Sequence, residues 1–298
     1  MTTTEEAIIA IMGPTGSGKS KIIDTLTGKS WSGAGLKSVT DHVRTVSLSL
    51  KPDRHGGRPV NVVLVDTPGF DDTHKSDSEV LEMIAGWLAS KYSKGTCLTG
   101  IMYLHRITDN RMSGTPHRNL KMFGKLCGGD EEVGKKVVFV TTMWDKLREA
   151  SVGVQRESQL KDFLRPMLDL GACTWRSQNT KEDAERLVRD MVQKPISNLP
   201  VLLQDELVDK KRPLNETEAA RTLYTQYQAL LAQHKATITD LENAAKKSQD
   251  ATTLADLQAE RQRIEGELEK TFEEAKKLKL GFFQRLFSRW RTSKGLNF

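Results

Sequence analysis

Cysteine is scarce: the 298-residue chain has three, Cys97, Cys127 and Cys173, far apart and without paired metal-ligand spacing. That excludes a disulfide framework and a zinc knuckle, and leaves buried reduced thiols as the expectation. Long apolar runs are missing too. No stretch approaches the roughly 18 residues needed to cross a bilayer, and the opening "MTTTEEAIIAIMG" has no basic region, long apolar region or small-residue cleavage site. A cytoplasmic protein, at most peripheral on a membrane, is expected. Acidic residues are absent from 276–298, which holds Lys276, Lys277, Lys279, Arg285, Arg289, Arg291 and Lys294. The formal net charge is +6; without those seven cations the chain has 38 basic and 39 acidic residues, a charge of −1. The basicity belongs to the tail, so nucleic-acid binding by the whole chain is not expected.

What is present is room for two units, since domains run to about 100–200 residues. Up to about residue 200, short β-branched runs alternate with amphipathic segments, the pattern of a parallel sheet covered by helices. Strands are expected at Ala7–Met12, His42–Leu50, Val60–Asp66, Thr99–His105 and Lys136–Thr142, with a weaker one near "GACTW". Helices are expected at Lys19–Thr27, Asp77–Tyr92 and Pro116–Cys127. The loop "KPDRHGGRP" permits antiparallel pairing of the second and third strands. Beyond Pro195 and Pro200 the composition turns to Ala, Glu, Lys, Gln and Leu. Two apolar stripes, one from Leu223 to Leu241 and one from Leu254 to Leu278, flank "KKSQDATT", which reads as the turn of a coiled-coil-like helical hairpin. The expected division is 1–198, 199–280 and a tail of 281–298.

"GPTGSGKS" follows one strand and opens one helix, the context a phosphate-binding loop requires. Gly13, Pro14, Thr15, Gly16, Ser17 and Gly18 turn backbone N–H groups inward; Lys19 reaches the β- and γ-phosphate oxygens, Ser20 offers its hydroxyl to Mg²⁺, and Lys21 continues the helix N-terminus. In "VVLVDTPGFDD", Asp66 ends an apolar strand where the metal site needs a carboxylate, and Gly69 can bring its N–H to a γ-phosphate. Thr40 is the candidate for a first mobile loop that senses the γ-phosphate and ligates Mg²⁺. Ser38 competes with it, and Thr40 leading plainly into the next strand is the other reading.

"VTTMWDKL" stands where a guanine reader belongs. Asp145 would accept from the ring N1–H and the exocyclic amine, a pair adenine does not supply, or else it caps a helix. Met143 occupies the place of the usual base-covering Lys, which an unbranched thioether can replace over a ring. Trp144 is either core or a base-edge contact. In "YLHRITDNRMSGTPHRN", His105, Arg106 and Arg111 lie at a carboxyl strand end, on the ligand side of such a sheet, unless the stretch is a solvated loop.

These motifs, in this order over about residues 7–190, resemble the septin-like GTPases that include the immunity-associated (GIMAP-type) proteins and the chloroplast-envelope Toc GTPases, and most closely the fungal G-domain proteins related to them. The resemblance implies an α/β fold: a Rossmann-like P-loop G domain with a mostly parallel sheet and helices on both faces, here followed by an α-helical hairpin and an amphipathic C-terminal helix. It implies GTP/GDP and Mg²⁺ as ligands, with Ser20, Thr40 and Asp66 at the metal. It implies a homodimer through the nucleotide-facing edge, to which Arg106, by position, or His105 would contribute across the interface; Lys19 and Thr40 complete the catalytic set. Phe70 stands where many GTPases orient water with Gln, so slow hydrolysis raised by dimerisation is expected. A nucleotide-dependent scaffold with negligible hydrolysis is the alternative, and an ATPase or kinase a third that Asp145 argues against. The final guanine-contacting loop falls somewhere in Ala172–Asn179.

In the tail, Phe283, Leu286, Phe287 and Trp290 share a helical face with Arg285 and Arg289 off it. That pattern suits an anionic membrane surface, with docking onto protein as the other reading.

Overall fold

The computed structural model describes residues 6–29, 42–50, 59–72, 74–109, 114–193, 198–248 and 250–293. The chain divides into two units, Met1–Arg212 and Pro213–Phe298.

The first unit begins with β1 (Ala7–Met12), α1 (Lys19–Thr27), β2 (Arg44–Leu50), β3 (Val60–Asp66), α2 (Asp77–Tyr92) and β4 (Gly100–Arg106). It continues through α3 (Thr115–Cys127), the one-turn α4 (Glu131–Gly134), β5 (Val137–Thr142), α5 (Ala150–Leu168), β6 (Cys173–Arg176), α6 (Lys181–Gln193) and α7 (Leu202–Gln204). The strands form one sheet in the order β2-β3-β1-β4-β5-β6. All neighbours are parallel except β2 and β3, whose antiparallel register runs from Arg44 opposite Asp66 to Leu50 opposite Val60. The α/β expectation, the antiparallel pair and the short sixth strand are all present, with strand bounds within two residues of those expected.

β1, β4 and β5 are buried almost throughout, which explains their unbroken apolar sequence: helices cover both faces. Ile9, Ile11, Leu64, Leu104 and Val140 form the centre of one core layer with Ile23 of α1 and Leu187 and Val188 of α6. Tyr103 packs on Phe123 of α3 with ring centroids 4.6 Å apart on the other face. Ser76 starts α2 through a reciprocal capping box with Glu79, fixing where the loop after Asp66 ends. The helices α5 and α6 were not among those expected; Gly153 and Pro166 interrupt the signal of α5.

The first unit extends past residue 198 to Arg212. Val201, Leu203 and Gln204 are buried, and Gln204 Nε2 donates to Leu88 O of α2 at 3.2 Å, so this stretch packs as part of the sheet domain.

The second unit is a helical hairpin of α8 (Glu218–Lys247) and α9 (Ala251–Ser293). Thr217 caps α8 by accepting from Ala220 N, and Arg261 of α9 reaches Glu242 of α8 at 3.3 Å. Phe272, placed on the second apolar stripe, is instead 54% exposed. Helix α9 runs without a break across residue 281, while the side chains of the 281–298 tail lie outside the described residues. Among the described residues no helix is long and apolar enough to cross a membrane.

Candidate functional site

The carboxyl ends of β1, β3, β4 and β5 converge on the loop Gly13–Ser20. Gly13 has φ +136°, and a Cβ there would run into the Leu104 carbonyl, so the turn demands glycine. Gly18 caps α1, and among the described residues no side chain caps that helix N-terminus. Ser17 Oγ is buried and has no hydrogen-bond partner among the described residues. Thr142 fastens the loop to the sheet, its hydroxyl donating to Ser17 O at 2.9 Å.

Lys19 is buried, and its Nζ donates to Gly13 O at 3.0 Å and Pro14 O at 2.9 Å. Burial lowers its pKa to about 8; the carboxylates of Asp66 and Asp72 oppose that shift and Arg106 adds to it. Ser20 Oγ donates to Asp66 Oδ2 at 3.2 Å, and the Arg44 guanidinium lies 3.4 Å from the same oxygen. The hydroxyl and the fully buried carboxylate are oxygen donors of the kind Mg²⁺ takes. Among the described residues no cluster of three or more His, Cys, Asp or Glu side chains offers a separate metal cage. Thr40, Ser38 and Arg111 lie outside the described residues.

Beside the phosphate loop is a cavity of about 280 Å³ lined by Gly18, Lys21, Thr142, Met143, Asp145 and Asn179, among others. Met143 adopts a left-handed φ of +62°, and Thr108 Oγ1 donates to its sulfur at 3.8 Å. Asp145 is 55% exposed and accepts from Asn179 Nδ2 at 3.3 Å. Asn179, also left-handed at φ +58°, narrows the window Ala172–Asn179, together with Ser177, to two cavity-lining side chains. Asparagine tolerates that conformation, the one signal in the sequence that points to it. Trp144 does not line the cavity. Its Nε1 donates to Thr141 Oγ1 at 3.0 Å, Arg176 stacks 3.9 Å over its ring, and its other edge presses on Gly153 of α5. It braces the end of β5 against α5 and β6.

A mostly parallel six-stranded sheet, a phosphate loop after β1, an acidic end to β3 and a cavity at the end of β5 decide the architecture. The first unit has the fold of a G domain.

His105 and Arg106 part company in it. His105 is only 4% exposed and faces the interior, where burial lowers its pKa. Alternation along β4 turns Arg106 the other way. Its Nε lies 2.9 Å from Asp109 Oδ1, and its Nη1 donates to Thr15 O of its own chain at 3.5 Å. Arg156 of α5, not marked in the sequence, shapes this loop by donating to Ile107 O and Thr108 O, both at 3.0 Å.

Residues 8–111 of the first unit, from β1 to just past β4, match the family described as 50S ribosome-binding GTPase. No curated protein matches the chain. Among solved structures, Toc33 from Arabidopsis thaliana in complex with GDP and Mg²⁺ shares 17% identity over 66% of this chain and 88% of its own, with a TM-score of 0.48. The chloroplast translocon components atToc33 and psToc159, for which dimerization is important for GTPase activity, share 16% over 64% and 84%, TM-score 0.47. Era from Aquifex aeolicus, bound to GDP·AlF4⁻, shares 16% over 65% and 58%, TM-score 0.44.

Proposed function

We propose that the G domain binds GTP and GDP with Mg²⁺ and hydrolyses GTP slowly. The observation that carries this reading is the Asp145 carboxylate, set by Asn179 at the rim of a cavity that adjoins the phosphate loop. A carboxylate there accepts two hydrogen bonds from guanine and meets no matching donor pair on adenine. Met143 covers the ring in place of a lysine stem.

The loop amides and Lys19 offset the charge that builds on the phosphates as the bond to the γ-phosphate breaks and water attacks. Ser20 and Asp66 would hold Mg²⁺, which when bound would neutralise phosphate charge. Arg106 contributes from within its own chain, because its guanidinium already lies at Thr15 and the Asp109 pair holds it there. Assembly of two copies through the nucleotide-facing edge would then act by ordering this edge. Phe70 is fully buried and has no group that orients water, which is the reason for slow turnover. The same residue favours a second reading, a nucleotide-governed scaffold whose hydrolysis is negligible. Phosphate release measured over a range of protein concentrations separates them: turnover that rises with concentration supports the enzyme, and none at any concentration supports the scaffold. Competition between GTP and ATP for the site tests the base assignment, and equal affinities would refute it. The tail, when helical, presents a basic amphipathic face suited to an anionic membrane surface.

A further inference from the structure

Three contacts bind the loop after Asp66 to the phosphate loop. The Thr15 N–H donates to Phe70 O at 2.7 Å, Pro14 and Phe70 pair as an isolated parallel bridge, and Thr15 Oγ1 donates to Asp72 Oδ2 at 3.0 Å. Asp72 is preset for that bond. Its other oxygen accepts the N–H groups of His74 at 2.8 Å and Lys75 at 3.3 Å, which is a side-chain-capped turn. One carboxylate therefore shapes the loop ahead of α2 and ties it to Thr15.

The tie draws Gly69 inward. A Cβ on Gly69 would lie 2.6 Å from Thr15 N and 2.7 Å from Lys19 Nζ, so only a glycine backbone fits against the lysine head. Lys19 in turn spends two of its three donors on the carbonyls of Gly13 and Pro14. The lysine and this glycine are the groups that would meet the third phosphate of a nucleotide. In this structure the space between them is closed by the chain itself, with a negative carboxylate beside it.

We propose that Asp72 sets the preference of this site between nucleoside diphosphates and triphosphates. The proposal rests on the nucleotide reading above. By holding Thr15, Asp72 keeps Gly69 and Phe70 closed over the third-phosphate position, and its charge opposes the charge that would enter. A diphosphate uses the amides around Gly16–Lys19 and leaves the tie intact. A triphosphate must break the Thr15 bonds and bring anionic oxygens toward a carboxylate, so part of its binding free energy goes into opening the loop.

The test uses the full chain with Mg²⁺ and compares wild type with Asp72→Asn and Asp72→Ala. The Asn variant keeps an oxygen for the His74 and Lys75 amides but loses the charge; the Ala variant loses both. Affinities for GDP, GTPγS, ADP and ATPγS are measured by calorimetry. The expected result is triphosphate affinity raised about tenfold relative to diphosphate in both variants, with diphosphate affinity within about twofold of wild type. An unchanged ratio overturns the role of Asp72, even where guanine is preferred. A shifted ratio without preference for guanine over adenine upholds Asp72 and refutes the base assignment instead. Hydrogen exchange without nucleotide reads the tie directly: the Thr15 amide is protected in wild type and exchanges about tenfold faster in Asp72→Ala, and equal exchange overturns the proposal.

Discussion

Asn179 Nδ2 donates to Asp145 Oδ1 across 3.3 Å, joining the loop after β6 to the end of β5 at the mouth of the cavity. The bond holds one carboxylate oxygen, while the other lies 3.8 Å from Lys146 Nζ. It pairs a residue that the sequence singles out with one that it only brackets.

Replacing Asp145 with Ala removes the acceptor proposed to distinguish guanine. GTP-over-ATP preference is expected to fall by about 100-fold, roughly 2.7 kcal/mol, because a site built to pair substrate donors loses most when that pairing is removed. Asn179→Ala loses orientation only, and guanine affinity is expected to fall about threefold to tenfold. Met143→Lys is tolerated with less than about a threefold change, since a lysine stem covers a ring as a thioether does. Competition binding with both nucleotides checks all three, and retained selectivity in Asp145→Ala would contradict the assignment.

The pH response follows from Lys19. Burial takes its pKa from the ordinary 10.5 down to about 8. A lysine whose folded value lies below its unfolded one is disfavoured while charged, so its cost to stability is complete below about pH 8 and fades between about 8 and 10.5. The nucleotide-free protein therefore gains stability from this group across that window, while phosphate affinity falls as the amine loses its charge. A bound phosphate raises the pKa again, so binding near pH 8.5 takes up a proton. Calorimetry in two buffers of different ionisation enthalpy detects the uptake; identical enthalpies would count against it.

In the proposed site Ser20 would link the loop to Mg²⁺. Chelating Mg²⁺ is expected to weaken GDP binding by about tenfold or more in wild type, and Ser20→Ala is expected to remove most of that difference by lacking the hydroxyl ligand. Nucleotide dissociation rates with and without Mg²⁺ measure this. The same large Mg²⁺ effect in Ser20→Ala would exclude the hydroxyl from the metal.

Arg106 acts on its own phosphate loop in the proposed mechanism. Arg106→Ala should lower turnover about 10-fold to 1,000-fold by the same factor at every protein concentration. If the substitution instead abolished only the concentration-dependent part, the arginine would be serving a partner molecule. Asp109→Asn, which loosens the pair at 2.9 Å, should produce a smaller loss in the same direction.

For the tail, co-sedimentation with anionic vesicles should be lost when 281–298 are deleted and should weaken with salt, since each basic residue contributes on the order of 1 kcal/mol near such a surface. Sedimentation unaffected by the deletion would end the membrane reading.

The phosphate loop is legible in the sequence because its causes are local. Glycines at fixed offsets, a lysine and a hydroxyl between a strand and a helix specify one turn and one anion site. The sheet is legible for a similar reason, since strands buried on both faces must be apolar throughout. Met143 and Asp145 stand out by their position after β5. The partners that orient them do not, since Asn179 meets Asp145 across 34 positions and the two become neighbours only when β5 and β6 pair.

His105 and Arg106 show the same limit at one residue's distance. The sequence assigned both to the functional edge; helices covering both faces of β4 buried the histidine, and alternation turned the arginine, at the strand end, toward Thr15. By itself, the sequence determined an α/β domain with a phosphate loop, a carboxylate at the base position and a helical hairpin after it, all through periodicity and short-range geometry. Only the tertiary structure decided that Asp72 ties Thr15, that Phe70 closes on Pro14, and that Asn179 aims Asp145. These contacts join segments separated by tens of residues, and they exist because the sheet brings the carboxyl ends of its strands to one edge.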